Sequence, residues 1–506
     1  MTFPRRGVFV FTVTVTIITC ISLFGWNNPS EARILRRPAA EEKKTGTPVS
    51  EALAHYLMGS LYDNAGQTGE AIGEYRKALA LYPDSPETKL RLGSSLLLAG
   101  ELSEAGKVID EAIVDDPENV AAYMLRAFVH TAKKEFPEAR ENYQHVLQVD
   151  PSNMRALTFL ADLLVQENKV EEALSVYERI VELDSREPFA HFNLGILYGK
   201  AGRFADAERV LKTAIDLDDE YVEARLLLGF LYEVDDRTPE AIELYESVTA
   251  IDEENFEAHI RLVQVYRKKG LYDKALEANR KVIELRPFAL EPYLVSYSIY
   301  VGTGRYEEAE EILIEALERG FDLGVVHAGL GQMASRRGDH ESALDHYQNA
   351  IRQSPGNDIY RFYMAVSLDS VGRREEAIEV LEEVVEEGTK HPEIFNYLGY
   401  TYAEEGIELD RAVELVKKAL AIDPENAAYI DSLGWAYYKQ GRLEEALEQL
   451  LRAVERLPDD ATVRDHLGDV YYALGEKEKA LVEWKRALEI DPDDQEIAEK
   501  IESVKN

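Results

Sequence analysis

The sequence has almost no cysteine, the residue that builds disulfide frameworks, and none of the common catalytic motifs. Its 506 residues include one cysteine, Cys20, and none occurs in residues 51–506, so disulfides cannot stabilise that part of the chain. There is no Walker-type glycine loop, no H-E-x-x-H motif and no G-x-S-x-G motif. His340 and His346 are six residues apart, which places them on different faces of a helix. We therefore expect no catalytic residues, no metal and no cofactor, and predict a protein that is not an enzyme.

Basic residues are scarce relative to acidic ones. The chain holds 57 Lys and Arg against 95 Asp and Glu, a formal charge of −38. Residues 1–50 carry seven basic and three acidic residues, so the remainder has a formal charge of −42. This excess argues against binding to nucleic acid or to anionic lipid, both of which require a basic face. It suits a basic partner, although a solvated outer surface is the simpler explanation.

A period of 34 residues runs through the chain. Counting in steps of 34 from Ala71 finds ten alanines in succession, and three more follow after a shift of one residue: Ala71, Ala105, Ala139, Ala173, Ala207, Ala241, Ala275, Ala309, Ala343, Ala377, Ala412, Ala446 and Ala480. A glycine or alanine precedes most of them by twelve residues, with Val263 and Tyr297 as exceptions. Small residues let two antiparallel helices approach closely, so the period predicts a stack of helix pairs.

These spacings resemble the tetratricopeptide repeat (TPR) family. The resemblance covers residues 52–494 and implies an all-α solenoid superhelix of thirteen helix-turn-helix units, which start near residues 52, 86, 120, 154, 188, 222, 256, 290, 324, 358, 392, 427 and 461. Repeats 7 and 8 lack the small residue in the first helix. Residues 495–506 are expected to form a polar capping helix. Residues 398–454 are also similar to large exported bacterial TPR proteins.

The N-terminus is predicted to be a targeting segment, residues 1–32. Arg5 and Arg6 precede an uncharged apolar run over residues 7–26, as in bacterial export signals. Three alternatives remain open: a signal cleaved after Ala32, an uncleaved segment that crosses the membrane, or a lipoprotein attached through Cys20. Each places the repeats outside the cytoplasm, in the periplasm or anchored to a membrane. Residues 33–51 are expected to form a flexible spacer.

The family resemblance implies that ligands lie in a concave groove lined by the first helix of each repeat, at its second, fifth, ninth and twelfth positions. Transferred to this chain, these positions predict an exposed apolar groove for a peptide or protein partner, unless neighbouring helices cover it. Its candidate residues are Leu90, Leu97, Met124, Phe128, Phe189, Phe192, Ile196, Leu226 and Phe230.

The same positions near the C-terminus form a second candidate patch, in which aromatic residues occur with carboxylates. Its members are Tyr400, Asp431, Trp435, Tyr438, Asp465, Asp469 and Tyr472. Aromatic side chains with a few carboxylates suit contacts with a basic or polar partner. No repeat has the Lys and Asn pair that the family's chaperone-tail carboxylate clamp requires, so that mode is set aside.

The sequence therefore predicts a non-catalytic scaffold that binds protein or peptide partners, exported or tethered to a membrane. Cell-envelope assembly and polymer secretion are suitable roles for such a scaffold. The alternative is a structural module that pairs with a second copy of itself, as a homo-oligomer. An enzyme would need a site grafted onto the repeats themselves.

Overall fold

The computed structural model describes residues 47–505, and within that range the chain forms α-helices and no β-strand. Twenty-seven helices occur in this part of the chain, numbered here α1 to α27. Their bounds are α1 Pro48–Asn64, α2 Thr68–Leu81, α3 Pro86–Leu98, α4 Leu102–Asp115, α5 Val120–Lys133, α6 Phe136–Val149, α7 Met154–Gln166, α8 Val170–Leu183, α9 Pro188–Lys200, α10 Phe204–Leu217, α11 Val222–Val234, α12 Thr238–Ile251, α13 Phe256–Lys268, α14 Tyr272–Leu285, α15 Glu291–Gly302, α16 Tyr306–Glu318, α17 Gly324–Arg336, α18 His340–Gln353, α19 Asp358–Ser370, α20 Arg374–Glu386, α21 Pro392–Glu405, α22 Leu409–Ile422, α23 Ala427–Lys439, α24 Leu443–Arg456, α25 Ala461–Ala473, α26 Lys477–Ile490 and α27 Gln495–Lys505. The predicted all-α fold of repeated helix pairs is confirmed.

The period of 34 residues arises from the crossing of the two helices in each pair. All thirteen period alanines lie on second helices, and each is at most 2% exposed. On the first helices, a methyl group added at Gly229 would lie 2.6 Å from the Tyr245 ring, and one added at Gly434 would lie 2.7 Å from Leu450. The space at these crossings is therefore filled by a large side chain of the second helix, which only a small residue opposite allows.

Polar side chains and glycines set the helix ends. At the starts of α5, α7 and α13, an asparagine side chain accepts a hydrogen bond from a backbone N–H in the first turn; Asn153 Oδ1, for example, lies 3.1 Å from Ala156 N. Such caps satisfy backbone donors that the helix leaves unpaired. The turn between α1 and α2 contains Gly66 at φ 71°, a left-handed conformation that costs glycine little.

Tyrosine, glutamate and arginine side chains join successive repeats. The Tyr232 hydroxyl on α11 donates to Glu208 on α10, at 2.9 Å. Arg237 lies over the Tyr232 ring, 4.0 Å from its centroid, and donates to the same carboxylate at 2.9 Å. Because Tyr232 and Arg237 belong to the repeat after that of Glu208, these three side chains fix the packing of one helix pair on the next.

The chain divides into two compact units, residues up to Lys269 and residues from Gly270. The division falls in the turn between α13 and α14, inside the seventh repeat. That repeat is one of the two in which the first helix lacks the small residue, since Val263 takes its place. The sequence irregularity and the division of the fold therefore coincide.

The two ends of the described chain can be compared with the spacer and the capping helix that the sequence predicts. The helix α1 begins at Pro48, inside the range predicted for the spacer, and its start is capped by Thr47, whose hydroxyl accepts a hydrogen bond from Ser50 N at 3.4 Å. The targeting segment, residues 1–32, and spacer residues 33–46 lie outside the described residues. At the other end, Ile497 and Ile501 of α27 are buried in the core of the second unit. None of the described helices is both long and apolar enough to cross a membrane.

Candidate functional site

Five of the nine predicted groove residues lie on neighbouring first helices of the first unit and are at least partly exposed. We call them the aromatic groove: Phe189, Phe192 and Ile196 on α9, with Leu226 and Phe230 on α11. On each helix they are spaced three or four residues apart, which places them on one face. Phe189 is 51% exposed, the others less. Together they form the apolar surface that the sequence predicts for repeats 5 and 6.

Tyr221, which the sequence positions do not identify, belongs to this surface. It precedes α11, and its ring centroid lies 5.3 Å from that of Phe192. Burial first, and then the negative charges of Glu223, Asp218 and Glu187, raise the pKa of Tyr221 to about 12. The rim of the aromatic groove is therefore acidic. Tyr221 lies in an inter-repeat turn, outside the helix positions used for the prediction.

Beside Phe230, the groove has a basic side chain, Arg261, whose charge is already paired with carboxylates. Arg261 of α13 lies with its guanidinium carbon 5.2 Å from the centroid of the Phe230 ring. Its Nε donates to Glu257 at 2.8 Å, and its charge lies 3.9 Å from Glu233. This contact orients the Phe230 ring and adds no net positive charge to the groove.

The other four predicted groove residues are buried, so the expectation that they are exposed is wrong. Leu90, Leu97 and Met124 are at most 6% exposed, and Phe128 is 1% exposed. The Phe128 ring packs edge-on against Phe159, with centroids 4.8 Å apart. Neighbouring helices cover these side chains, and they belong to the core of repeats 2 and 3.

The seven residues of the second candidate patch come together in the second unit, on α21, α23 and α25; we call them the C-terminal cluster. Trp435 lies at its centre and is 7% exposed, so it is not an open surface as expected. The Trp435 ring stacks on Tyr438, with centroids 5.0 Å apart, and on His466, with centroids 4.0 Å apart. Tyr400 and Tyr438 are partly exposed and Tyr472 is 43% exposed.

The carboxylates of the cluster already have partners within the chain. Asp431 is buried, and both its oxygens lie 3.1 Å from Nδ1 of His466. Lys500 of α27 donates to Asp465 at 2.8 Å and to Asp469 at 2.9 Å. His466 and Lys500 were not identified from the sequence, because neither occupies a position that the family resemblance marks.

Burial and mutual contact shift the pKa values of these groups. Burial, then the neighbouring charge of Asp469, raises the pKa of Asp465, although Lys500 opposes that shift. Burial acts to lower the pKa of His466, but its hydrogen bond to Asp431 and the surrounding carboxylates raise it above the ordinary value. A charged imidazole is therefore favoured beside Asp431. The cluster is a closed network: His466 joins α25 to Asp431 of α23, and Lys500 joins α27 to α25.

Metal ligation finds no support in the described part of the chain, where no three His, Cys, Asp or Glu side chains are arranged to hold an ion. His346 lies near His327, with their Nδ1 atoms 3.3 Å apart, and His340 is not part of that pair. Among the predicted sites, the aromatic groove alone presents several apolar side chains to solvent on adjacent helices.

Two family models match stretches along the repeat array. One, described as a tetratricopeptide repeat, matches residues 192–255, 298–358 and 432–495. A second with the same description matches residues 64–127, 130–190, 235–294 and 334–397. Between them the two match residues 64–495 except for residues 128–129, 191, 295–297 and 398–431.

Two curated proteins are similar to short stretches of the chain. The TPR repeat-containing protein PA4667 of Pseudomonas aeruginosa is 29% identical over 114 residues, 22% of this chain and 19% of that protein. The human protein O-mannosyl-transferase TMTC1 is 28% identical over 91 residues, 18% of this chain and 10% of that protein. The chain thus spans a fifth or less of the length of these relatives.

Solved structures with similar helix arrangements include the Cut9–Hcn1 hetero-tetramer of the APC/C, at 14% identity and a TM-score of 0.42 over 92% of this chain and 99% of that one. The C-terminal part of a TPR repeat-containing protein from Cytophaga hutchinsonii is 16% identical, with a TM-score of 0.44 over 47% of this chain and 98% of that one.

Proposed function

The chain belongs to the tetratricopeptide repeat family, and we propose that it is a non-catalytic scaffold that binds an apolar segment of a protein partner in the aromatic groove. TPR repeats support protein–protein interaction as the general role. The observation that carries the specific proposal is the set of five apolar side chains left partly exposed on α9 and α11. Contiguous apolar surface of this kind is typical of partner-binding sites.

The charges around the groove favour a partner with basic residues. Glu187, Asp218 and Glu223 lie near Tyr221 at the rim, and Arg261, which lies over the Phe230 ring, is paired with Glu257. A lysine or arginine next to an apolar anchor in the partner would gain from this field, whereas an acidic segment would be repelled. The proposed ligand is therefore an amphipathic or extended segment with apolar anchors and basic flanks.

Binding to selected peptides tests this assignment. Peptides are selected from a displayed random library on the full-length protein, and their affinities are then measured for Phe189→Ser, Phe192→Ser and Phe230→Ser combined in one variant. Each lost aromatic anchor commonly costs about 2 kcal/mol or more of binding. We expect the selected sequences to combine apolar and basic residues and the triple variant to bind them at least a hundredfold more weakly.

Phe204→Ser supplies the matched control. Phe204 begins α10 of the same repeat and is 48% exposed, close to the exposure of Phe189, but it lies on the second helix, outside the groove. This variant should bind selected peptides as the native protein does. Equal loss of binding in the control and the triple variant would contradict the groove assignment, as would selection of acidic peptides.

Self-association remains the second candidate, since an exposed apolar groove suits a second copy as well. The acidic repeats, with a formal charge of −42 over residues 51–506, oppose pairing of like surfaces. Light scattering of the full-length protein distinguishes the two: a monodisperse monomer excludes self-association, and a dimer that the triple variant abolishes would replace the scaffold proposal.

We also propose an extracytoplasmic location, tethered or exported, with a role in cell-envelope assembly or polymer secretion. Support comes from Arg5 and Arg6 ahead of the apolar run over residues 7–26. Intact-mass analysis of the native protein should show loss of residues 1–32, a retained apolar segment in the membrane fraction, or a lipid on Cys20. A soluble cytoplasmic protein that begins at Met1 would contradict all three.

A further inference from the structure

A cavity of about 350 Å³ lies in the second unit, along the first helices of repeats 8, 9 and 10. Three tyrosines contribute to its walls: Tyr306 at the start of α16, Tyr347 on α18 and Tyr363 on α19. We call it the tyrosine pocket. Its size is that of a site for one or two side chains of a ligand. None of the residues of the aromatic groove or of the C-terminal cluster lines it.

The charge of the tyrosine pocket is unusual for this chain. No Asp or Glu lines it, although the chain has 95 of them. Arg336, at the end of α17, lies at its edge, with its guanidinium carbon 3.8 Å from the centroid of the Tyr306 ring. Within the described residues Arg336 has no carboxylate partner, whereas the adjacent Arg337 is paired with Glu310. Stacking on Tyr306 leaves the N–H edge of the Arg336 guanidinium without an acceptor.

Further hydrogen-bond donors lie beside Arg336. Gln332 uses its side-chain oxygen to accept from the Tyr297 hydroxyl, at 2.7 Å, so its amide N–H groups remain to donate. Nδ1 of His340 is buried and has no hydrogen-bond partner in the described chain. A buried polar atom without a partner is costly unless a ligand or water satisfies it. Arg336, Gln332 and His340 thus bring side-chain nitrogen atoms that have no acceptor among the described residues to the walls of one pocket.

From these observations we propose that the tyrosine pocket binds the carboxylate side chain of a glutamate or aspartate in a partner peptide. Arg336 pairs with the carboxylate through its planar N–H edge, and His340 and Gln332 donate to the same group. The aromatic and aliphatic walls, which include Met333 and Val301, hold an apolar residue next to the acid. The donors differ from the Lys and Asn pair of the chaperone-tail clamp. The proposal goes beyond the aromatic groove, whose ligand has the opposite charge.

Methyl NMR gives a direct test, since the chain has six methionines and Met333 lines the pocket. The full-length protein, labelled with ¹³C at methionine methyls, is titrated with acetyl-Glu-Phe-amide and with acetyl-Gln-Phe-amide. The Met333 signal should move saturably with the glutamate peptide, and the glutamine peptide should bind at least tenfold more weakly. Equal effects of the two peptides would overturn the proposal, as would a stronger effect of inorganic phosphate than of the glutamate peptide.

Variants of the two neighbouring arginines complete the test. Arg336→Gln should weaken binding of the glutamate peptide at least tenfold, and Arg336→Lys, which keeps the charge without the planar fork, should restore only part of it. Arg337→Gln is the matched control and should leave binding unchanged. Native affinity in Arg336→Gln would overturn the proposal. The triple phenylalanine variant should bind the glutamate peptide normally, so failure of the groove and failure of the pocket are distinguishable.

Discussion

The aromatic groove of the first unit and the C-terminal cluster of the second both lie on first helices of their repeats, and both contain aromatic residues. In the groove, Phe189 and its neighbours remain partly exposed. In the cluster, Trp435 is buried and stacks on Tyr438 and His466, and Lys500 of α27 pairs with Asp465 and Asp469. The groove leaves its apolar surface exposed, while in the cluster the aromatic and acidic side chains hold the last helix of the described chain in place.

The comparison shows that binding capacity depends on what neighbouring elements leave unsatisfied. A carboxylate paired with an internal lysine attracts an external cation far less than a free one does. By the same criterion, Arg336 is available because no carboxylate of the described residues reaches it. Substitutions that open the closed cluster, or that separate buried from exposed aromatics, test this criterion.

The largest effect should come from Phe128→Ser, since Phe128 was predicted to line the groove and is instead buried. Removing a buried aromatic side chain commonly costs about 3–5 kcal/mol of unfolding free energy. We expect a marked loss of thermal stability with hydrogen-exchange protection lost first in α5 to α8. Phe189→Ser provides the contrast, because an exposed side chain should change the free energy of unfolding by no more than about 0.5 kcal/mol. Similar melting temperatures for the two variants would contradict the assignment of Phe128 to the core.

Lys500→Met should open the C-terminal cluster. It leaves Asp465 and Asp469 beside each other without their cation, and removing one partner of a fully buried pair costs roughly 3–5 kcal/mol. The Lys500 side chain is 22% exposed, so we expect a smaller loss of about 2 kcal/mol, after solvent screening is allowed for. Hydrogen exchange should show the loss in α25 to α27 and leave α9 and α11 unchanged.

Removing the charge of the two carboxylates tests whether Lys500→Met destabilises the protein through unpaired charges or through lost packing. Adding Asp465→Asn and Asp469→Asn to Lys500→Met removes the unpaired charges and should restore most of the protection of α27. If the variant with Lys500→Met, Asp465→Asn and Asp469→Asn is no more stable than Lys500→Met alone, the ion pairs do not hold the cluster. The opened cluster should also bind cationic peptides that the native protein does not bind.

The sequence predicts the repeat array well because its period has a single physical cause. The thirteen alanines are buried on the second helices, and at the small residues of the first helices a larger side chain would collide with the second helix, as Gly229 and Tyr245 show. Val263, the exception in repeat 7, marks the repeat in which the chain divides into two units. Local spacing therefore carries the information about packing within a pair.

The sites were predicted less well because exposure depends on elements distant in the sequence. Phe128 and Phe230 are at equivalent positions of their repeats, yet Phe159 of the next repeat covers Phe128. The cluster is closed by Lys500, which lies 31 residues from Asp469 and outside the thirteen repeats. Arg336 was missed because it follows the twelfth position, the last that the family resemblance marks. No pattern in the sequence indicates that Arg336 lacks a carboxylate partner.

The smallest effect should be a pH dependence confined to the cluster. The folded-state pKa of His466 is raised by Asp431 and the nearby carboxylates against the effect of burial, relative to about 6.5 for an exposed histidine. A raised histidine pKa contributes stability that is fully present below the unfolded-state pKa and is lost as pH rises through the folded-state pKa. Hydrogen-exchange protection of α25, corrected for intrinsic rates, should therefore decrease from pH 6 upward relative to that of α11. His466→Gln should abolish this difference, since the protonated imidazole beside Asp431 is its expected cause. An unchanged pH profile in His466→Gln would mean that the contact between His466 and Asp431 does not govern the stability of the closed cluster.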